Sequence, residues 1–233
     1  MKLKIYKQIF EKFPGLHVGV VIAKHIDNTT KNEEILELLK QQQKMIKQNF
    51  QKETLSENPK IDAWRKAYSI FGAKPKKYKC SVENLYRMIL DDIDLKHINK
   101  LVDIYNYISI KHLVPVGGDD LDKVEGNITL TFAKGDEVFN RLNSEESAFP
   151  HQGEVIYKDD KEVLCRRWNW RESDKSKMTE HTKNVSLVVE GLPPLTKDEI
   201  QKIIAELASL VKKYCAGEVK TVVLDEKSSE TEF

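Results

Sequence analysis

A change of texture near residue 113 constrains this chain more than any single motif. Before Leu113 the apolar residues recur at helical spacing: Ile35, Leu38, Leu39, Met45, Ile46 and Phe50 in one stretch, and Leu101, Ile104, Tyr105 and Ile108 in another. After Asn127 the spacing shortens to alternation, as in NITLTFA (127–133) and NVSLVVEGL (184–192). One early segment, LHVGVVIAKHI (16–26), is apolar throughout and predicts a strand covered on both faces. Helices gathered first and strands afterwards predict an α+β protein, a single domain with helices packed around a mixed, largely antiparallel sheet.

Local signals divide these segments. Helices are expected over 33–53, over KIDAWRKAYSIFG (60–72), over VENLYRMIL (82–90) with Ser81 as its cap, and over 98–113. GEVIYKDDKEVLC (153–165) reads as a hairpin turning at Asp159-Asp160. Thr196 can cap a last amphipathic helix, KDEIQKIIAELASLVKKYC, before a final strand, EVKTVVLD (218–225). A domain over 1–225 with a disordered polar tail over 226–233 is expected.

Composition sets bounds. The 233 residues carry 38 Lys and Arg against 37 Asp and Glu, a formal charge of +1. A nucleic-acid partner would therefore have to be met by a local patch. No run approaches the roughly 20 apolar residues of a membrane span. The start, MKLKIYKQIF, lacks the apolar core of a secretory signal. Cys80, Cys165 and Cys215 show no paired spacing and read as reduced thiols. A cytoplasmic protein with no partner in the membrane is expected. The six histidines show no metal-ligand spacing, and no metal site is expected.

Four segments carry candidate chemistry. Gly72–Lys79 places Lys74, Lys76, Lys77 and Lys79 around Tyr78, suited to phosphate contact with a ring for stacking, or simply a solvated loop. PVGGDDLDKVEG (115–126) offers Gly117 and Gly118 for close approach to a ligand. Its aspartates lack the spacing of a calcium loop, and it also fits a helix-to-strand connection. CRRWNWR (165–171) interleaves Trp168 and Trp170 with Arg166, Arg167 and Arg171. Read as a strand, it puts Arg167, Asn169 and Arg171 on one side and both tryptophans on the other. That is either a pocket wall or a core face with surface ion pairs. RESDKSKMTEHT (171–182) adds Glu172, Thr179 and several hydroxyls, without a nucleophile elbow.

The order of these segments resembles the B3/B4 domain of the phenylalanyl-tRNA synthetase beta subunit. Asn106-Tyr107, Pro115, Asp120-x-Asp122, Glu125-Gly126, Ile128 and Ala133-x-Gly135-Asp136-Glu137 stand where that family carries its helix, proline, acidic strand entry and following turn. The likeness extends over roughly residues 10–220 and is closer to free-standing members. It implies a domain that binds the aminoacylated 3′ end of tRNA and edits it by hydrolysing wrongly attached amino acids. It implies no metal or organic cofactor. Gly117, Gly118, Asn169, Trp170, Arg171, Glu172 and Thr179 would face the pocket. Lys74, Lys76, Lys77, Tyr78, Lys79, Arg166 and Arg167 would meet RNA. Gly117 stands where the family has a histidine, and Asn169 and Trp170 replace two glycines. The two tryptophans are thus expected to reshape the pocket. A stand-alone deacylase is one reading. A binding module for tRNA, or for a free amino acid or small molecule, is the other. No room remains for an adenylating domain.

Overall fold

A computed structural model describes residues 1–142 and 147–233. The fold is α+β, with six α-helices and twelve strands among the described residues. The apolar segment becomes β2 (His17–Lys24), whose six central residues are buried. It lies between β10 (Val185–Gly191) and β11 (Glu218–Leu224), antiparallel to both, and β3 (Val116–Asp120) completes this four-stranded sheet beyond β10. α6 (Lys197–Cys215) rests on β2, and Gly19 permits the contact, since a methyl there would collide with Ile204. The Thr196 cap is realised as a full capping box with Glu199.

A second, six-stranded sheet runs β12 (Glu230–Glu232), β1 (Lys2–Ile5), β4 (Ile128–Phe132), β7 (Val155–Lys158), β8 (Val163–Arg166), β9 (Arg171–Glu172). Only the β1–β4 pairing in it is parallel. The β7–β8 hairpin turns where expected, with Asp159 Oδ1 accepting from the backbone N–H of Lys161 and Glu162, both at 2.8 Å. Short strands β5 (Phe139–Asn140) and β6 (Ser147–Ala148) pair with each other.

α2 (Glu33–Asn49), α3 (Pro59–Ile70), α4 (Ser81–Leu90) and α5 (Lys100–His112) occupy the predicted helical stretches. α2 ends at Asn49, short of the expected Glu53, because Phe50 turns extended and meets Tyr86 edge-on at 5.0 Å. Ser81 does not cap α4: Cys80 holds that position without a side-chain bond, and the Ser81 hydroxyl is buried with no partner. β1 and α1 (Lys7–Lys12) escaped the sequence reading, as did β3, taken as a loop.

The C-terminal residues are not a free tail. Glu230–Glu232 pairs with Lys2–Lys4, Phe233 packs against the core, and Asp225 anchors the turn between β11 and β12. The polar composition was misleading because an edge strand buries backbone rather than side chains. No helix among the described residues is long and apolar enough to cross a membrane.

Candidate functional site

The Arg166–Glu172 segment is not a continuous strand. β8 ends at Arg166, and the chain reverses through Arg167 (φ 47°) and Trp168 (φ 69°) before β9 pairs back onto β8. Two consecutive non-glycine residues with left-handed backbone are costly, roughly 1–3 kcal/mol each. Surrounding side chains hold them. Trp168 is fully buried, 4.9 Å edge-on to Trp64 and 4.7 Å from Phe13. Its indole N–H donates to Glu190 Oε1 at 2.6 Å. Tyr157 donates to the same oxygen at 2.7 Å and Asn169 to Oε2 at 2.7 Å. Glu190 is thus a buried acid with three donors. Burial pushes its carboxyl up, and those bonds pull the other way.

The turn places its residues on two sides. On one side Gly117, Gly118, Asn169 and Glu172 line a narrow cleft with Asp119 and Glu190, holding about 20 Å³ of free space. That is room for about one water molecule. Gly118 and Glu172 also border a wider outer pocket of about 360 Å³, walled by Val102, Tyr105, Leu142 and Met178 and reached by Thr179. Glu172 therefore stands between the two spaces. Gly117 supplies its room, since a Cβ there would lie 3.1 Å from Glu172 Oε1. Gly118 is required by β10: a Cβ would collide with the Ser186 carbonyl.

The electrostatics of the cleft are acidic. Burial, then the neighbouring Asp119 and Glu190 charges, hold the Glu172 carboxyl well above the usual carboxylate range. Asp119 is pushed up to about 6, mainly by burial, although its Oδ1 accepts from Ser176 at 2.6 Å. Burial likewise raises the Tyr105 phenol, with Glu172 adding to it. Ser173, which borders the outer pocket, is fully buried, and its hydroxyl has no partner among the described residues. The aspartates read as turn residues serve the fold: Asp120 accepts from Thr182 and Asp122 from Asn184.

The other side is basic. Arg166 and Arg167, expected to meet RNA, are both buried. Arg166 forms two bonds of 2.9 Å with Glu154. Arg167 lies over the rings of Tyr78 (3.8 Å) and Trp170 (4.6 Å). Trp170 is edge-on to Tyr78 at 5.0 Å, and Arg171 lies 4.9 Å over it. Trp170 is therefore outside the cleft, and it is Trp168 that borders it. This overturns the expected alternation, because the left-handed turn rotates neighbouring side chains out of strand order. Lys74, Lys76, Lys77 and Lys79 form no ion pair among the described residues, and Lys77 lies 5.2 Å over Tyr78. Arg171 also lacks an acidic partner among the described residues; burial, then the nearby Arg141, lower its pKa.

Asp119, Glu190 and Tyr105 were missed as site residues. Glu190 alone left a trace, a single acid at the end of an apolar strand. No group of three His, Cys, Asp or Glu side chains suited to a metal occurs among the described residues.

These geometries coincide with a family match. The B3/4 domain model matches residues 63–216, a stretch containing Lys74–Lys79, Asp119, Glu172 and Glu190. The phenylalanine–tRNA ligase beta subunit of Fusobacterium nucleatum subsp. nucleatum is 24% identical over 154 residues, which cover 56% of this chain and 19% of that subunit. The beta subunit from Ruegeria pomeroyi is 38% identical over 68 residues, 29% of this chain and 8% of that subunit. The chain thus spans less than a fifth of the length of these relatives. Among solved structures, an N-terminal fragment of the phenylalanyl-tRNA synthetase beta-subunit from Pyrococcus horikoshii aligns with 96% of this chain and 54% of its own, at a TM-score of 0.48 and 12% identity. With the family match running from α3 to the end of α6, well over half its length, the chain belongs to the B3/4 domain family.

Proposed function

We propose that the outer pocket and cleft receive the aminoacylated 3′ end of a tRNA, and that the protein clears wrongly attached amino acids by ester hydrolysis. Family membership and the names of the relatives support a tRNA partner. The observation that carries the reading is Glu172, set between a pocket of about 360 Å³ and a cleft with room for one water. The amino acid would occupy the pocket, and the ester carbonyl would lie at Glu172. Asp119, ionising near 6, takes a proton as water attacks the carbonyl carbon. Glu172, still protonated, donates to the carbonyl oxygen. As the tetrahedral adduct collapses, Glu172 takes its proton back, the ester C–O bond breaks, and the ribose oxygen leaves with the proton that Asp119 took from water. Arg141, Arg171 and the Lys74–Lys79 loop would hold the RNA backbone. Three buried, unpaired cysteines fit a cytoplasmic setting.

A second reading is binding without chemistry, of tRNA, a free amino acid or another small molecule. It is favoured by burial holding the Glu172 carboxyl well above the usual carboxylate range, and by the three donors that occupy Glu190. Incubation with tRNAs charged by each amino acid separates the two. Ester loss above buffer for at least one is expected, with a bell-shaped pH profile rising through about 6. No loss for any charged tRNA removes the deacylase and leaves the binding module.

A further inference from the structure

On the far side of the Arg166–Glu172 turn from the cleft lies a second cavity, of about 280 Å³. Phe71 and Ala73 give it an apolar wall, and Lys74, Lys77, His151, Arg167 and the carboxylate of Glu154 surround it. Its charge balance is the unusual feature. Two buried arginines share one buried carboxylate, Glu154, so a positive charge is left over. Glu154 has no capacity left. It accepts both bonds from Arg166, the backbone N–H of Arg167 at 3.2 Å, and the backbone N–H of His151 at 3.2 Å. The Arg167 guanidinium only approaches it, at 3.5 Å, and donates no hydrogen bond to any described residue.

A guanidinium in that position carries a large desolvation cost unless something completes it. Here it is also wedged against two rings, 3.8 Å from the centroid of Tyr78 and 4.6 Å from that of Trp170, which restricts where its donors can point before any ligand arrives. Lys74 and Lys77 bring two further cations from an exposed loop and have no acidic partner among the described residues. A buried planar fork with two exposed ammonium groups matches a phosphate: the fork takes two oxygens and the lysines the rest of the charge. A carboxylate would satisfy the fork alone.

We infer that this cavity is a phosphate-binding site, built on Arg167, Lys74 and Lys77, that seats a phosphate group carrying a small organic remainder against Phe71. Its volume lies just under the roughly 300–1,000 Å³ of small-molecule pockets, which suits a phosphate monoester or one nucleotide of a longer chain. The site stands apart from the cleft and does not depend on ester hydrolysis: a protein that deacylates nothing still fills it.

The test is calorimetric titration of the full chain with inorganic phosphate and with adenosine monophosphate, against acetate as the carboxylate control. Saturable binding of both phosphates and none of acetate is expected. Lys74→Ala with Lys77→Ala should weaken it at least ten-fold, and Arg167→Gln should abolish it. Lys202→Ala, on the exposed side of α6 and outside the cavity, should leave it unchanged. Arg167 is buried, so each variant is first compared with the parent by circular dichroism, and the exposed lysine pair tests the site even where Arg167→Gln misfolds. No saturable phosphate binding overturns the proposal, as does equal affinity in the lysine pair variant, or acetate binding as tightly as phosphate. Uncharged tRNA then distinguishes the sources: displacement of bound phosphate assigns the occupant to RNA, and undisturbed binding assigns it to a free phosphorylated compound. Either result upholds the site.

Discussion

Glu190 and Glu172 lie on the same cleft, both raised by burial, yet their surroundings are opposite. Glu190 accepts from Tyr157, Trp168 and Asn169 and ties β7, β10 and the Arg166–Glu172 turn together. Glu172 faces two other acids and open space. The basic side repeats the contrast: Glu154 and Arg166 are matched, whereas Arg167 is not. Buried charges that complete one another hold the turn. Buried polar groups left incomplete are the candidates for ligand contact under the proposals above.

The largest test of this contrast is stability. Glu190→Ala strands three buried donors, each worth about 1–3 kcal/mol when unsatisfied, so a loss of about 3–5 kcal/mol is expected in denaturant unfolding. Glu172→Ala should cost under about 1 kcal/mol while changing discrimination among amino acids roughly ten-fold or more. Equal losses for the two variants would erase the distinction.

The tryptophans offer a similar pair. Trp168→Ala removes a fully buried ring and should cost about 3–5 kcal/mol. Trp170→Gly loses a half-buried ring and its contacts with Tyr78 and Arg167, and about 1–2 kcal/mol is expected. Because Trp170 lies outside the cleft, the range of accepted amino acids should stay as in the parent. A widened range would return Trp170 to the pocket wall.

The acids also predict a pH dependence. A carboxyl whose pKa is raised by folding binds its proton more tightly in the folded state. It therefore withdraws stability as pH climbs from the ordinary carboxylate range through the folded value. For Asp119 that window runs from about 4 to about 6, and Glu172 extends it upward. Glu172→Gln should gain stability over the parent at pH 8 and equal it below about pH 4. Parallel pH–stability curves for the two proteins would mean that Glu172 is not held neutral.

Two smaller effects concern the periphery. Lys76→Ala with Lys77→Ala should reduce the slope of log affinity for tRNA against log salt by about 1.4, at roughly 0.7 per single-strand phosphate contact. An unchanged slope would make the loop a solvated connection only. Removal of residues 226–233 deletes β12 and the Phe233 contact, and a drop in Tm of about 2–4 °C is expected for each 1 kcal/mol lost. An unaltered Tm would show that the strand adds nothing.

Sequence periodicity was enough for the α+β class, for β2, α2, α3, α5 and α6, and for the β7–β8 hairpin, because each buries a face that repeats along its own length. The Thr196 capping box and the Asp159 turn were legible for the same reason: partners three residues apart need no distant contact. The ordered series of short motifs was sufficient to mark the B3/4 family. Gly117, Gly118, Asn169 and Glu172 were placed together by that resemblance, and all four line one cleft. Tertiary structure alone decided the rest. β12 is a strand because it finds β1 at the other end of the chain, and β1 because it lies between β12 and β4. Trp168 and Trp170 part company because a left-handed turn, held by Glu190 of β10 and by Glu154 just before β7, overrides the alternation their spacing suggests. Whether an arginine or a glutamate is satisfied depends on which charges lie across space from it, and neighbours along the chain carry no record of that.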